Sequence, residues 1–190
     1  MFVNRKLGEL NIKIVYYGPA LGGKTTNLEY IHASVDPKLR GELVSLKTQE
    51  DRTLFFDFLQ LGMGQIKGLM PKFNLYTVPG QVIYASTRKL VLEGADGVVF
   101  VADSQAERLD ENIDLFASLT AYLTRAGYSL TDFPLVLQCN KQDLPNVYSP
   151  QTLSEHLCGD GVPCVGAVAS EGTGVFTTLK AAINSVVSRI

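Results

Sequence analysis

The stretch Gly18-Pro19-Ala20-Leu21-Gly22-Gly23-Lys24-Thr25 fits the phosphate-binding pattern G-x-x-x-x-G-K-[ST]. It constrains the fold strongly, because the pattern works only between a β-strand and the start of a helix. The strand-like run Ile12-Lys13-Ile14-Val15-Tyr16-Tyr17 leads in, and a helical spacing of Leu28, Ile31 and Val35 leads out. Glycines let the backbone wrap an anion without Cβ clashes. The turning chain and the following helix N-terminus aim N–H donors at it. Lys24 supplies a point charge for the outer phosphates, and Thr25 a hydroxyl for Mg²⁺.

A second motif addresses the base. Asn140-Lys141-Gln142-Asp143 follows the apolar run Leu135-Val136-Leu137-Gln138-Cys139. N-K-x-D at the carboxyl end of a strand resembles the guanine-reading element of regulatory GTPases. Guanine presents N1–H and an exocyclic N2 amine side by side, and one carboxylate accepts from both. Against adenine, Asp143 is left without a partner, at a cost of about 1–3 kcal/mol for a polar group and more for a charged one. Asn140 can tie this loop to the phosphate loop, and the Lys141 stem can cover a base face.

Composition narrows the class. The 190 residues fall in the single-domain range, so one domain over 1–190 is expected. A hydrophobic content of 46% with 19% charged residues argues against disorder, and a net charge of −2 gives no reason to expect nucleic acid. No apolar run is long enough to span a bilayer, and Met1-Phe2-Val3-Asn4-Arg5-Lys6 lacks an apolar signal core. Ser188-Arg189-Ile190 offers no prenylation cysteine. The expectation is a cytoplasmic protein with no direct membrane anchor, any recruitment to a cell pole or membrane falling to partners. Cys139, Cys158 and Cys164 have no metal spacing and read as reduced thiols, Cys139 as strand filler. His32 and His156 sit in no motif.

Strand and helix patterns alternate. Strands are expected near 10–17, 53–61, 72–78, 97–103, 134–140 and 163–168, and helices near 24–35, 84–92, 107–126, 150–157 and 174–189. Val98-Val99-Phe100-Val101-Ala102 is continuously apolar, as a central parallel strand covered on both faces should be. Thr53 to Leu61, the turn Gly62-Met63-Gly64, then Phe73 to Val78 reads as a hairpin, which places one antiparallel strand at an edge. The predicted architecture is a three-layer α/β P-loop NTPase fold. Its six-stranded, mostly parallel sheet has one antiparallel edge strand and helices on both faces, with the ligand beyond the strands' carboxyl ends.

These residues resemble those of a Ras-like G domain across nearly the whole chain, and more narrowly the MglA-type group of bacterial gliding-motility GTPases. The likeness is carried by Lys13 to Pro19, by Gly23-Lys24-Thr25-Thr26-Asn27-Leu28, and by Asp51-Arg52-Thr53-Leu54-Phe55-Phe56-Asp57-Phe58. Leu75-Tyr76-Thr77-Val78-Pro79-Gly80-Gln81-Val82, Val98 to Ser104 and Asn140 to Asp143 complete it. The resemblance implies GTP or GDP held with Mg²⁺ by the phosphate loop, Thr26, Thr53, Gly80, Asn140, Lys141, Asp143 and the segment Val168-Ala169-Ser170. It implies that Thr25 and Thr53 ligate the metal, with Thr48 a rival for the second place. It implies that the Ala169 N–H meets guanine O6, that Gly80 senses the γ-phosphate, and that Gln81 orients the attacking water. Arg52 resembles the group's internal arginine finger, which would stabilise charge spreading over the γ-phosphoryl oxygens; a solvent-facing loop arginine is the plainer alternative.

The chain departs from the Ras pattern at three positions. Thr77 stands where most Ras-like proteins carry an aspartate that reaches Mg²⁺ through water. Asp57 is the candidate to compensate, a solvated edge carboxylate being the other reading. Ala20 replaces a glycine close to the γ-phosphate, which predicts slowed hydrolysis with binding preserved. Ser170 replaces a stacking lysine.

Three function classes follow. The leading one is a slow GTP hydrolase acting as a regulatory switch. By resemblance, its activator is an MglB-like roadblock-domain dimer, and it controls polarity and gliding or twitching motility through effector proteins. The second is a nucleotide-gated scaffold with negligible hydrolysis. The third, a P-loop kinase or metabolic NTPase, is disfavoured by Asn140 to Asp143.

Overall fold

The computed structural model describes residues 1–46, 56–62, 64–79 and 85–190. Eight strands form one sheet: β1 (Phe2–Asn4), β2 (Glu9–Tyr17), β3 (Val44–Leu46), β4 (Phe56–Gly62), β5 (Met70–Thr77), β6 (Gly97–Asp103), β7 (Leu135–Asn140) and β8 (Cys164–Gly166). Their order is β3-β4-β5-β2-β6-β7-β8, with β1 antiparallel on the start of β2. β5, β2, β6, β7 and β8 run parallel, while β4 is antiparallel to both β5 and β3. Among the described residues five α-helices cover the faces: α1 (Lys24–Ser34), α2 (Ala85–Leu92), α3 (Leu109–Arg125), α4 (Pro150–Leu157) and α5 (Val175–Val187).

The α/β class and all six expected strands are present. Two details differ. Among the described residues the sheet has eight strands rather than six, because the three-residue pairings β1 and β3 add to it. The antiparallel strand β4 is therefore not outermost, since β3 lies beyond it.

The central strands feed two separate cores. Along β2, Leu10, Ile12, Ile14 and Tyr16 face one side and join Leu28 and Ile31 of α1 and Val175, Leu179, Ala182 and Val186 of α5. Val15 and Tyr17 face the other side, where they pack with Val91 and Leu92 of α2, Leu115, Phe116, Leu119 and Leu123 of α3 and Leu153 of α4. This is the period-two alternation of a strand buried on both faces. Every residue of β6 and β7 is buried, as the continuous apolar run predicted for β6. Among the described residues, no helix is long and apolar enough to cross a membrane.

With both faces covered, polar side chains and loops collect at the carboxyl ends of β2, β6 and β7. There, β2 runs into Gly18, β6 ends on Asp103 and β7 ends on Asn140.

Candidate functional site

The loop after β2 is shaped by close approach. Gly18 has φ +144°, and a Cβ there would lie 2.2 Å from the Val101 carbonyl oxygen of β6. Gly23 has φ +100°, and a Cβ there would lie 2.1 Å from the Asn140 side-chain nitrogen. Only glycine tolerates both the backbone angle and the crowding. Leu21 is also in the left-handed region, φ 60°, and is 87% exposed. Among the described residues only four non-glycines have positive φ, and Leu21 and Lys141 both border one pocket. Such unfavourable backbone persists only where the surroundings over-determine it.

Helix α1 starts from Gly23 with no side-chain cap and no acidic residue in its first turn. By contrast, α4 is capped by Ser149, whose hydroxyl accepts from the Thr152 N–H. An uncapped start leaves N–H donors and the positive end of the helix dipole to a ligand, and the arrangement suits an anion. Lys24 is buried beneath the loop, its ammonium donating to the Gly18 and Pro19 carbonyls at 3.0 and 2.6 Å. Burial lowers its pKa to about 8, opposed by Glu111 and Asp57 and reinforced by Arg88. Arg108, at the start of α3, donates to the Ala20 carbonyl at 3.0 Å and steadies the loop from outside.

Asn140 holds the second motif against the first. Its side-chain nitrogen donates to the Gly22 carbonyl at 2.8 Å, and its side-chain oxygen accepts from the Ala169 N–H at 2.9 Å. One carboxamide thus joins the phosphate loop, the end of β7 and the loop after β8. The N–H that the resemblance assigns to guanine O6 is donated to Asn140 here. Lys141 ion-pairs with the buried Asp103 at 2.6 Å, which fixes the lysine stem beside the pocket. Gln142 reaches back to the Ser104 hydroxyl at 2.6 Å and the Tyr148 carbonyl at 3.1 Å. Leu21, Thr26, Asn140, Lys141, exposed Asp143 and Ser170 line a pocket of about 240 Å³. Val168 and Ala169, both buried, form its back.

On the opposite flank Asp57 is buried, not solvated. Thr25 Oγ1 and Thr77 Oγ1 donate to its Oδ2 at 2.6 and 2.9 Å, and Ser45 Oγ donates to Oδ1 at 2.5 Å. Thr77 also accepts from the Asp57 N–H at 2.8 Å. One carboxylate and three hydroxyls beside the phosphate loop make a hard-oxygen set of the kind Mg²⁺ prefers. Among the described residues no cluster of three or more His, Cys, Asp or Glu groups could hold a metal. Phosphate oxygens and hydroxyls would therefore supply much of any shell here. Thr48, Arg52, Thr53, Gly80 and Gln81 lie outside the described residues.

Several contributors escaped the reading of the sequence. Asn27 of α1 and Gln138 of β7 exchange two side-chain hydrogen bonds, at 2.8 and 2.9 Å, and Gln138 also donates to Thr178 of α5 at 2.9 Å. All three are fully buried. The available signal was a glutamine inside an otherwise apolar strand. Cys139, expected to be filler, lies with its sulfur 3.5 Å from that of Cys164.

The ADP-ribosylation factor family model matches residues 2–178. The chain is also similar to the mutual gliding-motility protein MglA of Myxococcus xanthus (strain DK1622), with 50% identity over 189 residues covering 100% of this chain and 97% of that protein. The chain belongs to the MglA group of Ras-like small GTPases. Family membership makes this GTPase a GTP hydrolase, and Ras-like GTPases work with GTP, GDP and Mg²⁺.

Proposed function

We propose that the chain, as one G domain, is a guanine-nucleotide switch of slow intrinsic hydrolysis that is stimulated by an MglB-like roadblock-domain dimer and acts in polarity and gliding motility. The observation that carries the nucleotide part is the Asn140 carboxamide, which joins Gly22 to Ala169 beside a pocket of about 240 Å³ that Asp143 lines. Asp143 accepts from the guanine N1–H and N2 amine. Lys141 covers the base, with Thr26, Val168 and Ser170 around it. Gly18 to Lys24 cradle the phosphates, and the Lys24 ammonium turns from the Gly18 and Pro19 carbonyls towards the outer oxygens.

The oxygen set around Asp57 fits Mg²⁺, which would neutralise charge on the β- and γ-phosphates. Thr25 and Thr53 are its ligands from this chain. Asp57, in place of the aspartate replaced by Thr77, orients the Thr25 hydroxyl. Gln81 positions the attacking water, Arg52 stabilises charge developing on the transferred group, and Gly80 registers its presence. The motility role and the roadblock partner rest on the likeness to the Myxococcus protein, whose name states gliding motility.

Titration with GTP, GDP and ATP in Mg²⁺, followed by phosphate release with and without a roadblock-domain protein, tests the whole reading. Guanine preference with slow, partner-stimulated release is expected, and preference for ATP refutes it. Ala20 and Thr77 favour a second reading, a nucleotide-gated scaffold. Tight GTP binding with no release under either condition would select it.

A further inference from the structure

We propose that Cys139 and Cys164 form a reversible disulfide when the protein meets hydrogen peroxide, and that this bond loosens the base-side loops and speeds nucleotide release. The coupling to release rests on the proposed base site; the disulfide does not. Cys139 is the residue before Asn140, and Cys164 opens β8. The register pairs Leu137 with Cys164 and Cys139 with Gly166, so the two thiols come from diagonal positions on one face of the sheet. Their sulfurs are 3.5 Å apart, and both thiols also point at the Pro150 carbonyl, at 3.9 and 3.3 Å. All three cysteines are free. A disulfide of about 2.05 Å requires the sulfurs to approach by about 1.5 Å, and from diagonal positions that approach moves the β7 and β8 backbones as well as the side chains.

The two thiols are unequal in a way that suits stepwise oxidation. Cys139 is buried, and its hydrogen bond with Cys164, together with burial, pushes its thiol up. The same hydrogen bond pulls the Cys164 thiol down, and Cys164 is only partly buried. Cys164, the more accessible of the two, is therefore the thiol that peroxide reaches first. Its sulfur displaces hydroxide from the peroxide O–O bond and becomes a sulfenic acid. The Cys139 thiol then attacks that sulfur, and the S–O bond breaks as water leaves. In sum, two thiols and one H₂O₂ give one disulfide and two H₂O, each sulfur losing one electron. Cys158 is held up by burial, hydrogen-bonds to Ser154 at 3.5 Å, and takes no part.

The consequence reaches the base site through three short links. The Ala167 N–H donates to the Cys139 carbonyl at 2.9 Å, the Gln142 N–H to the Ala167 carbonyl at 3.1 Å, and Asn140 accepts from Ala169. Drawing Cys139 towards β8 misaligns the Asn140 carboxamide between Gly22 and Ala169.

The test uses the full chain loaded with a fluorescent GDP analogue and treated with low molar equivalents of hydrogen peroxide. Non-reducing peptide mapping is expected to find the Cys139 and Cys164 peptides linked, with one free thiol left at Cys158. GDP release is expected to quicken several-fold and to recover on adding dithiothreitol. Cys158→Ser should behave as the parent, and Cys164→Ser should neither link nor respond. Three surviving thiols, a link through Cys158, or a Cys164 oxidised further without a link each overturn the disulfide. A linked protein with unchanged release overturns the coupling. Failure of the chain to take up the GDP analogue refutes the base-site reading, and linking found by peptide mapping of that same protein leaves the disulfide standing.

Discussion

At the β7 end of the site, Asn140 bonds only to backbone, the Gly22 carbonyl and the Ala169 N–H, so its partners cannot rotate away. At the β4 end, Asp57 gathers side-chain hydroxyls from Thr25, Ser45 and Thr77, none of them a backbone group. The first arrangement is a structural lock that exists before any ligand. The second is a set of side-chain oxygens of the hard kind that a divalent cation takes. On the proposed function, selectivity for the base would reside in the backbone-tied flank and cation exchange in the side-chain flank.

The sharpest way to break that contrast is Asn140→Ala. It strands a buried carbonyl and a buried N–H, so unfolding free energy should fall by about 2–5 kcal/mol and guanine-nucleotide retention should collapse. A thermal melt that does not move would show that the lock is not structural. Asp57→Asn should cost less, about 1–2 kcal/mol, because rotatable hydroxyls re-solvate. Its larger effect should be a rise in the free Mg²⁺ needed to retain GDP, measured by release at graded Mg²⁺. If Asn140→Ala and Asp57→Asn shift Mg²⁺ dependence equally, the two flanks do not differ in kind.

A third prediction concerns the charge between the flanks. Lys24 has a folded pKa lowered to about 8 from 10.5, so the cost of its buried ammonium is fully present below pH 8 and fades as pH rises towards 10.5. Ligand-free stability from this group should therefore increase with pH across that window. Phosphate binding needs the ammonium, so nucleotide affinity should move the opposite way, weakening above pH 8 by up to about tenfold per pH unit. Calorimetry in buffers of different ionisation heat should find proton uptake on binding there.

The smallest expected effect lies beneath β2. The Tyr16 hydroxyl is buried without a hydrogen-bond partner among the described residues, and burial pushes its pKa up. Tyr16→Phe should leave stability unchanged or raise it by up to about 1 kcal/mol, read from denaturant midpoints. A clear loss would mean that the hydroxyl has a partner.

Much of this was legible in the sequence. Local patterns that depend on neighbours in the chain, such as the phosphate loop and the apolar run of β6, were found where expected. So was the strand leading into Asn140. The strands β1 and β3 were not legible, because three-residue pairings are chosen by a neighbouring strand and not by their own periodicity. The partners of Asp57 were not legible either, since Thr25, Ser45 and Thr77 come from a helix and two other strands. Cys139 and Cys164 are 25 positions apart, and only the β7–β8 register makes them neighbours.

The buried amides of Asn27 and Gln138, with the Thr178 hydroxyl beside them, weld α1, β7 and α5 into a single unit. Sliding any of the three would abandon polar atoms in an oily interior. A large-scale movement that kept these bonds would have to carry α1, β7 and α5 as one body.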